Sequence, residues 1–585
     1  MDSPSKTTGH KHLWTALLPA LPFLLAIAVF SRALLNDFTY DDFLVIVNNH
    51  CITDNALPCA CLSDRYFDVS GEGTYRPVIT LLYHLVVRIF GPRPFGLHLV
   101  ALILHACTAV LVTRLAQRLK SGSWALLPGI AFAVHPILTE PVCGIGFMED
   151  ILSTFLVVAG LLAALWSTDA PTRPRRVACG TAVTIVTLLA AAFSKESGVM
   201  LAVFAPVFIL FSGDERLRVR AACLHTIALT PAVGIFLYVR FILLPGDSSS
   251  AARLGAGIVS SAANTAVIFA KYVGRLIYPF QLSIDRHTDL LSGLTDLRLW
   301  YAAGLHATML LGAVLALRSR RLRGFTLGIF WFYAALLPTA NIIPIFHPEA
   351  DRYLYLPSIG FFLALAALAH CTTARRPIPA RVLSVAMALL AVALSARTVT
   401  RIGDWRNNRT LWTHEMEINP DSDAAMAELA VESNAVGQYA HAEQLARAAL
   451  ETNEENSLAR FQLARALMRN SRHRDALPFY QQLVARGTLH RHHLAQAWHE
   501  MGFIQDYTLK DTDEAARAYA AALAINPFIL DAWARLGMIH ATEGRTADAI
   551  SVWEQALQRF PDDHALKHNI GIAKRALRAE NEVVP

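Results

Sequence analysis

The sequence is poor in charged residues. Asp, Glu, Lys and Arg make up only 17% of its 585 residues, whereas hydrophobic residues make up 54%. This balance is unlike that of an ordinary soluble domain. The apolar excess ends near residue 397, and after residue 403 the chain becomes charged and Ala-rich. We therefore predict two modules, an apolar one at 1–402 and a polar helical one at 403–585.

The sequence also lacks any run of basic residues interleaved with aromatic residues, although its formal net charge is +6. The positive residues collect instead in a few loops between apolar runs. That distribution is typical of a membrane-topology signal rather than of a nucleic-acid surface. The sequence therefore argues against a nucleic-acid partner.

Cysteine is scarce as well, with eight residues in the chain. Three of them, Cys51, Cys59 and Cys61, lie in the first polar loop, where one disulfide could form if the loop is extracytoplasmic. The other five lie in or beside apolar runs and are predicted to be small core residues: Cys107, Cys143, Cys179, Cys223 and Cys371.

About eleven apolar runs are candidates for membrane spans, because a span needs roughly 20 apolar residues and fewer where neighbours shield it. The first run is interpreted as an anchor, since it lacks a small-residue cleavage site. Two interrupted stretches, 78–90 and 258–282, are predicted to lie in the interface or to re-enter the membrane. The eleven runs are near 13–33, 96–117, 124–140, 149–167, 176–194, 197–212, 221–243, 298–317, 324–342, 354–371 and 380–398.

The loops between these runs alternate in charge, basic on one side and acid-containing on the other. Since basic loops favour the cytoplasm, one orientation satisfies every loop: a cytoplasmic N-terminus and an outward C-terminal module. We expect an integral protein of a bacterial inner membrane with periplasmic repeats. The alternative is an endoplasmic reticulum membrane with lumenal repeats.

The polar module repeats with a period of about 34 residues. Units 494–527 and 528–561 share an aromatic residue, Gly, Ala and Pro at matching positions, including Trp498 and Trp533. Units at 423–456 and 457–490 are weaker, and 562–579 is expected to form a capping helix. The pattern predicts a tetratricopeptide-repeat α-solenoid, whose concave surface commonly binds protein segments.

Five polar motifs fall on the predicted outer face, where a charge near the membrane is costly and usually paired or functional. Each has a structural explanation, such as a capped helix end, a snorkelling arginine or an ion pair. Together they combine carboxylates, which can act as a base or bind a divalent cation, with cations that can hold a phosphate. The motifs are Tyr40-Asp41-Asp42, Arg76 within 74–77, 135–140 with Glu149 and Asp150, Lys195-Glu196 after Ser194, and 350–358.

The order of these motifs, followed by the repeats, resembles the transmembrane-and-tetratricopeptide-repeat O-mannosyltransferases and their bacterial relatives. The shared segments read Asn-Asp-Phe-Thr-Tyr-Asp-Asp at 36–42, Tyr-Arg-Pro at 75–77, His-Pro-x-x-Thr-Glu at 135–140, Ser-Lys-Glu at 194–196 and Ala-Asp-Arg-Tyr-Leu-Tyr-Leu-Pro-Ser at 350–358. One departure concerns Phe147, which stands where relatives often carry arginine. That departure concerns either the identity of the transferred sugar or the role of this loop, and within the family it favours a change of substrate over a loss of activity.

The resemblance implies an all-α protein with a GT-C-type membrane domain and an inverting transfer of a sugar, usually mannose, from polyprenyl or dolichyl phosphate to Ser or Thr hydroxyls. Asp41 or Asp42 would be the base. The donor phosphate would be bound by Arg76, Lys195 and Arg352. The site would be shaped by Tyr40, His135, Glu140, Glu149, Asp150, Glu196 and Tyr353.

Other functions remain compatible with the residues. A non-enzymatic membrane scaffold, whose repeats organise a periplasmic assembly, is the main alternative. A secondary transporter is disfavoured, because the spans show no inverted repeat and the charges lie at one membrane face. The motifs leave open both the metal requirement and the choice between Asp41 and Asp42 as the base.

Overall fold

The structure is a computed structural model that describes residues 20–53, 66, 74–119, 121–169, 173–211, 215–245, 257–286, 289–345, 347–375, 379–487, 489 and 491–583. The chain divides into two compact units, Met1–Leu411 and Trp412–Pro585. All regular structure in these ranges is helical, which confirms the all-α prediction. The disulfide predicted among Cys51, Cys59 and Cys61 falls on side chains outside the described part.

The first unit contains fifteen α-helices within the described ranges. Several begin with proline in the first turn, where the missing N–H costs nothing and the fixed φ suits a helix. The helices are α1 Ala20–Phe30, α2 His50–Thr53, α3 Pro77–Phe90, α4 Pro94–Arg118, α5 Leu127–Val134, α6 Thr139–Cys143, α7 Met148–Thr168, α8 Pro174–Ala192, α9 Leu201–Phe211, α10 Glu215–Tyr238, α11 Ile258–Ile277, α12 Leu297–Ala316, α13 Arg323–Leu336, α14 Tyr355–Arg375 and α15 Ala380–Asp404.

Among the described residues, seven helical segments are long and apolar enough to cross a membrane. The predicted runs 124–140 and 324–342 instead form the shorter helices α5 and α13. Helix α5 ends two residues before Pro136, and a proline disfavours helical geometry in the residue preceding it, here the extended His135. Helix α13 instead continues directly into the short 3-10 helix Leu337–Thr339. The seven segments are Pro94–Arg118, Ile145–Thr168, Pro174–Ala192, Arg218–Leu243, Leu297–Ala316, Asp351–Ala374 and Arg381–Asp404.

Helix α7 separates acidic residues from basic loops. Its 21 residues measure about 30 Å, enough to cross the hydrocarbon core. Glu149 and Asp150 lie in its first turn. Beyond its other end, Asp169 pairs with Arg118 at 2.7 Å and with Arg176 at 3.0 Å. The acid pair and the basic loops that contain Arg118 and Arg176 therefore lie at opposite ends of one span.

Helices α13 and α14 contact each other through two glycines. A Cβ atom added to Gly328 would lie 2.5 Å from the carbonyl oxygen of Gly360, and the reciprocal distance is also 2.5 Å. Small residues allow this backbone approach between membrane helices. On α13, Trp331 also stacks on Phe204 of α9, with ring centroids 4.0 Å apart. These contacts hold the first turns of α14, which begins at Tyr355 within the predicted motif at 350–358.

Two of the five free cysteines contradict the core prediction. Cys143 and Cys371 are buried and Cys107 is partly buried, but Cys179 and Cys223 are exposed. Both exposed residues lie on apolar helices of the first unit, α8 and α10, on faces that no other described helix covers.

Paired helices build the second unit, after α16, which spans the boundary between the units. Trp533 and Trp553 pack in its core with Tyr519 and Ala549. A Cβ atom at Gly537 would lie 2.2 Å from the indole nitrogen of Trp553, so only glycine lets the two helices meet there. The helices are α16 Asn408–Ile418, α17 Asp423–Ala435, α18 Tyr439–Thr452, α19 Ser457–Arg469, α20 His473–Arg486, α21 Arg491–Phe503, α22 Thr512–Ile525, α23 Leu530–Thr542, α24 Thr546–Leu557 and α25 His564–Val583.

One repeat contains an extra residue, and the structure accommodates it locally. Trp498 precedes Ala515 by 17 positions, whereas Trp533 precedes the equivalent Ala549 by 16. Helix α21 continues as a π-helix at Ile504–Leu509. The wider π turn absorbs a single inserted residue without breaking the helix, so the helix pairing of the repeats is preserved.

Candidate active site

A tight turn near the start of the first unit carries Tyr40, Asp41 and Asp42. Tyr40 has a φ of 51°, a left-handed conformation that costs a non-glycine residue about 1 kcal/mol or more. Its amide donates to Oδ1 of Asn408 at 2.8 Å. Its hydroxyl lies 3.2 Å from Nε2 of His347. These contacts hold the strained residue and thereby fix the position of the two carboxylates that follow.

Backbone N–H groups hold the carboxylate of Asp42 on both sides. Its Oδ1 accepts from the amide of Gly146 at 2.6 Å, and its Oδ2 accepts from the amide of Thr39 at 2.9 Å. The residue is 1% exposed. Burial raises its pKa to about 7, although both amide donors oppose the rise. Both oxygens of Asp42 are therefore used to join the turn to the segment before α7.

Asp41 differs from its neighbour. It is half-buried, and its carboxylate forms no hydrogen bond or ion pair with any residue that the structure describes. Burial raises its pKa to about 6, the Arg352 guanidinium lowers it, and Glu149 raises it. The carboxylate oxygens of Asp41 therefore accept no hydrogen bond from the described residues, and the positive charge of Arg352 acts on them.

That cation, Arg352, forms a buried pair with Glu140. Its Nη1 donates to Oε1 at 2.6 Å and its backbone amide donates to Oε2 at 2.9 Å. The two side chains are 8% and 5% exposed. The guanidinium carbon lies 4.5 Å from the ring centroid of Phe147. Arg352 is thus held by charge and by stacking beside the Asp41–Asp42 turn.

Two further predicted cations share three carboxylates. Arg76 pairs with Glu149 and, at 3.0 Å, with Glu196. The Lys195 ammonium lies 3.1 Å from Glu149 and 2.5 Å from Asp150. These residues therefore form one ion-pair network that joins the start of α7 to the turn after α8. Each positive group in it already has a negative partner.

Tyr353 connects this network to the Arg352 pair. The Lys195 ammonium lies 5.9 Å from its ring centroid, and the Arg352 guanidinium lies 5.3 Å from it. Its hydroxyl donates to the carbonyl of His347 at 2.9 Å. Arg240, 3.7 Å from Glu196, also joins the network. Sequence reasoning missed Arg240 because it lies within an apolar run with no motif around it.

His135 lies apart from these contacts. Its Nδ1 accepts from the amide of Ile137 at 3.2 Å, and its Nε2 lies 3.2 Å from the carbonyl oxygen of Leu276. Because His135 precedes a proline, its backbone is extended and its ring caps the following turn. The geometry gives His135 a local structural role at the break between α5 and α6.

A second charged cluster was not predicted as a site. Glu349 pairs with Lys271 at 3.3 Å and with Arg275. Asp351 pairs with Arg275 at 3.2 Å and with Arg286 at 2.8 Å. One sequence feature could have indicated this cluster. Lys271 and Arg275 lie four positions apart within 258–282, which places them on one face of a helix.

No group of three or more His, Cys, Asp or Glu side chains that could hold a metal ion occurs among the residues described above. Apart from Asp41, the predicted carboxylates are paired with cations or, in the case of Asp42, with backbone amides.

Comparisons with known proteins agree with the resemblance stated from the motifs. A family model described as "Tetratricopeptide repeat" matches residues 435–489 and 506–564. A protein O-mannosyl-transferase of Caenorhabditis elegans is 25% identical over 416 residues, covering 68% of this chain and 57% of that protein. Protein O-mannosyl-transferase TMTC2 of Mus musculus is 24% identical over 485 residues, covering 68% and 58%.

The chain therefore spans less than two thirds of the length of these curated relatives. Among solved structures, the tetratricopeptide-repeat protein YrrB is 17% identical, with 28% of this chain and 84% of that chain covered and a TM-score of 0.26. The repeat assignment depends on the family model and on the pairing of helices in the second unit. The family resemblance predicted from the motifs is confirmed by the named relatives.

Proposed function

We propose that this relative of the transmembrane-and-tetratricopeptide-repeat protein O-mannosyl-transferases is itself a membrane glycosyltransferase that acts on proteins. The donor is a polyprenyl- or dolichyl-phosphate sugar, with mannose as the first candidate. The acceptor is a Ser or Thr hydroxyl presented on the outer face of the membrane, and the repeats engage the acceptor protein. The named relatives support the chemistry, and the site geometry supports the assignment of roles.

The observation that carries this proposal is the difference between two adjacent carboxylates. Both oxygens of Asp42 accept backbone N–H groups, whereas Asp41 keeps its oxygens for a ligand. A general base needs lone pairs within reach of the hydroxyl proton and a pKa near the working pH. The pKa of Asp41, raised to about 6 by burial, meets the second condition while leaving the group ionised at neutral pH.

In the proposed reaction, Asp41 takes the proton of the acceptor hydroxyl as its oxygen attacks the anomeric carbon of the sugar. The bond from that carbon to the lipid phosphate breaks, and the phosphate leaves with the electron pair. Attack opposite the leaving group inverts the anomeric centre. The products are the glycosylated hydroxyl, a protonated Asp41 and a polyprenyl phosphate.

The departing phosphate gains negative charge, which nearby cations stabilise. The positive charge of Arg352 lowers the pKa of Asp41. Its guanidinium is also a planar hydrogen-bond donor suited to phosphate. Lys195 and Arg76 lie in the adjoining network, each already paired with carboxylates. We assign Arg352 to the leaving phosphate and give Lys195 and Arg76 the secondary role of offsetting its charge.

The proposed outer location follows from charge asymmetry. The acid end of α7 and the basic end with Arg118 and Arg176 are one membrane thickness apart, and basic loops favour the cytoplasm. The active site and the repeats are thus assigned to the periplasm of a bacterium, or to the lumen of the endoplasmic reticulum in a eukaryotic cell. An acceptor protein held by the repeats would then meet the site on the same side.

The test uses membranes that contain the full chain, a polyprenyl-phosphate-mannose donor and a Ser/Thr-rich acceptor protein. Wild type is expected to transfer mannose, and Asp41→Asn to lose transfer. Asp37→Asn is the matched control, because Asp37 lies in the same segment with an exposed side chain. Full transfer by Asp41→Asn would contradict the assignment of the base. Unchanged glycoproteins in a deletion strain would favour the scaffold alternative.

A further inference from the structure

A cluster of three cations surrounds two deeply buried carboxylates near the outer end of α11 and the segment before α14. The side chains of Glu349 and Asp351 are 1% and 3% exposed. Arg275 bridges them. Among the described residues, Lys271 pairs with Glu349 alone and Arg286 with Asp351 alone. The carboxylates act as anchors that hold the cations in place, because they have no access to solvent.

The ion pairs of this cluster leave positive charge in excess, with three cations on two carboxylates. The neighbouring acid Glu140 is already paired with Arg352. Lys271 is the most accessible cation, with a side chain that is 35% exposed. Its ammonium has three N–H groups, and one of them reaches Oε2 of Glu349 at 3.3 Å. The cluster therefore presents an accessible ammonium backed by two fixed guanidinium groups.

Exposed apolar side chains adjoin the cluster. Lys271 and Arg275 lie four residues apart on one side of α11, and Tyr278 follows directly after the helix ends at Ile277. Ile277, Tyr278 and Phe280 are 70%, 66% and 54% exposed. Tyr278 and Phe280 have ring centroids 4.5 Å apart. Such aromatic groups favour the level of lipid headgroups, where a phosphate and its hydrocarbon chain are both available.

We propose that Lys271, Arg275 and Arg286 form a binding site for the phosphate group of a membrane lipid. The cations contact the phosphate oxygens, and the exposed apolar residues after α11 contact the start of the hydrocarbon chain. The proposed function places the donor phosphate beside Arg352 during transfer, so this second site would hold the same lipid before or after transfer. Its identification as the sugar donor or the polyprenyl-phosphate product depends on that proposed function. The shared chemistry is an anionic lipid phosphate, which an ordinary phospholipid also carries.

The experiment measures lipid binding by the purified full chain in phosphatidylcholine nanodiscs, with polyprenyl monophosphate and phosphatidylglycerol as separate probes. Lys271→Gln is the principal variant, because Glu349 retains Arg275 as its partner. Loss of one charge-assisted contact is expected to weaken polyprenyl-phosphate binding about tenfold. Lys271→Arg should retain binding. Arg298→Gln is the control, since Arg298 is 42% exposed and pairs only with Asp296 in the described part.

Binding that is equal in wild type, Lys271→Gln and Arg286→Gln would overturn the site. A selective loss for polyprenyl phosphate supports the site and its donor assignment. An equal loss for both probes supports the lipid-phosphate site and overturns its assignment to the donor. Asp41→Asn separates this inference from the proposed function, because it should bind polyprenyl phosphate normally while transfer is lost. If wild type binds polyprenyl phosphate through Lys271 but transfers no sugar, the proposed function fails and the site stands.

Discussion

Replacing each of the two adjacent aspartates by asparagine should give two different defects. Asp41→Asn removes a base whose carboxylate has no partner among the described residues, so the fold should be unchanged. Loss of a general base typically lowers the rate by about 10²–10⁴-fold. We expect donor binding and thermal stability like wild type, with transfer reduced by that amount.

Asp42→Asn should act mainly on stability. An asparagine offers only one acceptor oxygen, so either the amide of Thr39 or that of Gly146 would face an NH₂ group instead. A buried backbone donor left without an acceptor costs about 1–3 kcal/mol. The variant should unfold at a lower temperature and lose transfer to the extent that the turn no longer holds Asp41 in place.

The assay combines single-turnover transfer, donor binding and thermal unfolding of the full chain in the same detergent. Asp37→Asn should match wild type in all three measurements. The reasoning would be refuted if Asp42→Asn lost transfer with unchanged unfolding while Asp41→Asn kept it, because Asp42 would then be the base. Equal loss of stability in both variants would contradict the different hydrogen bonding of the two residues.

Three further predictions follow from the same contacts. Transfer should fall about tenfold per pH unit below a pH near 6, as Asp41 becomes protonated, and a flat pH profile would contradict this. Glu140→Gln should destabilise the membrane unit by about 3–5 kcal/mol, measured by thermal unfolding, because Arg352 would become an unpaired buried cation. Gly537→Ala should destabilise the repeats by about 1–3 kcal/mol, since its Cβ would overlap an indole ring. Gly571→Ala, with nothing within 4 Å of the new atom, should be neutral or slightly stabilising; equal effects of the two glycine variants would exclude the overlap.

Much of the architecture was predictable because it depends on local composition. Apolar runs of about 20 residues form helices whichever partners they later meet. The repeat period appeared through Trp533, Gly537 and Ala549, residues that meet within one or two helix pairs. The break after Val134 was readable in principle, since Pro136 follows two residues later. The eleven-run pattern overlooked it because apolar content alone does not register a proline.

The site divides differently between sequence and structure. The sequence by itself identified the charged residues of the five motifs and predicted that they share one membrane face. Only the tertiary structure distinguished Asp41 from Asp42, because one amide donor to Asp42 comes from Gly146, 104 positions away. The same holds for Arg240 and for Lys271, whose partners are distant in sequence. The role of a carboxylate or a cation depends on the groups that folding places beside it. Those partners are distant in sequence, so the residues next to it in the chain do not reveal them.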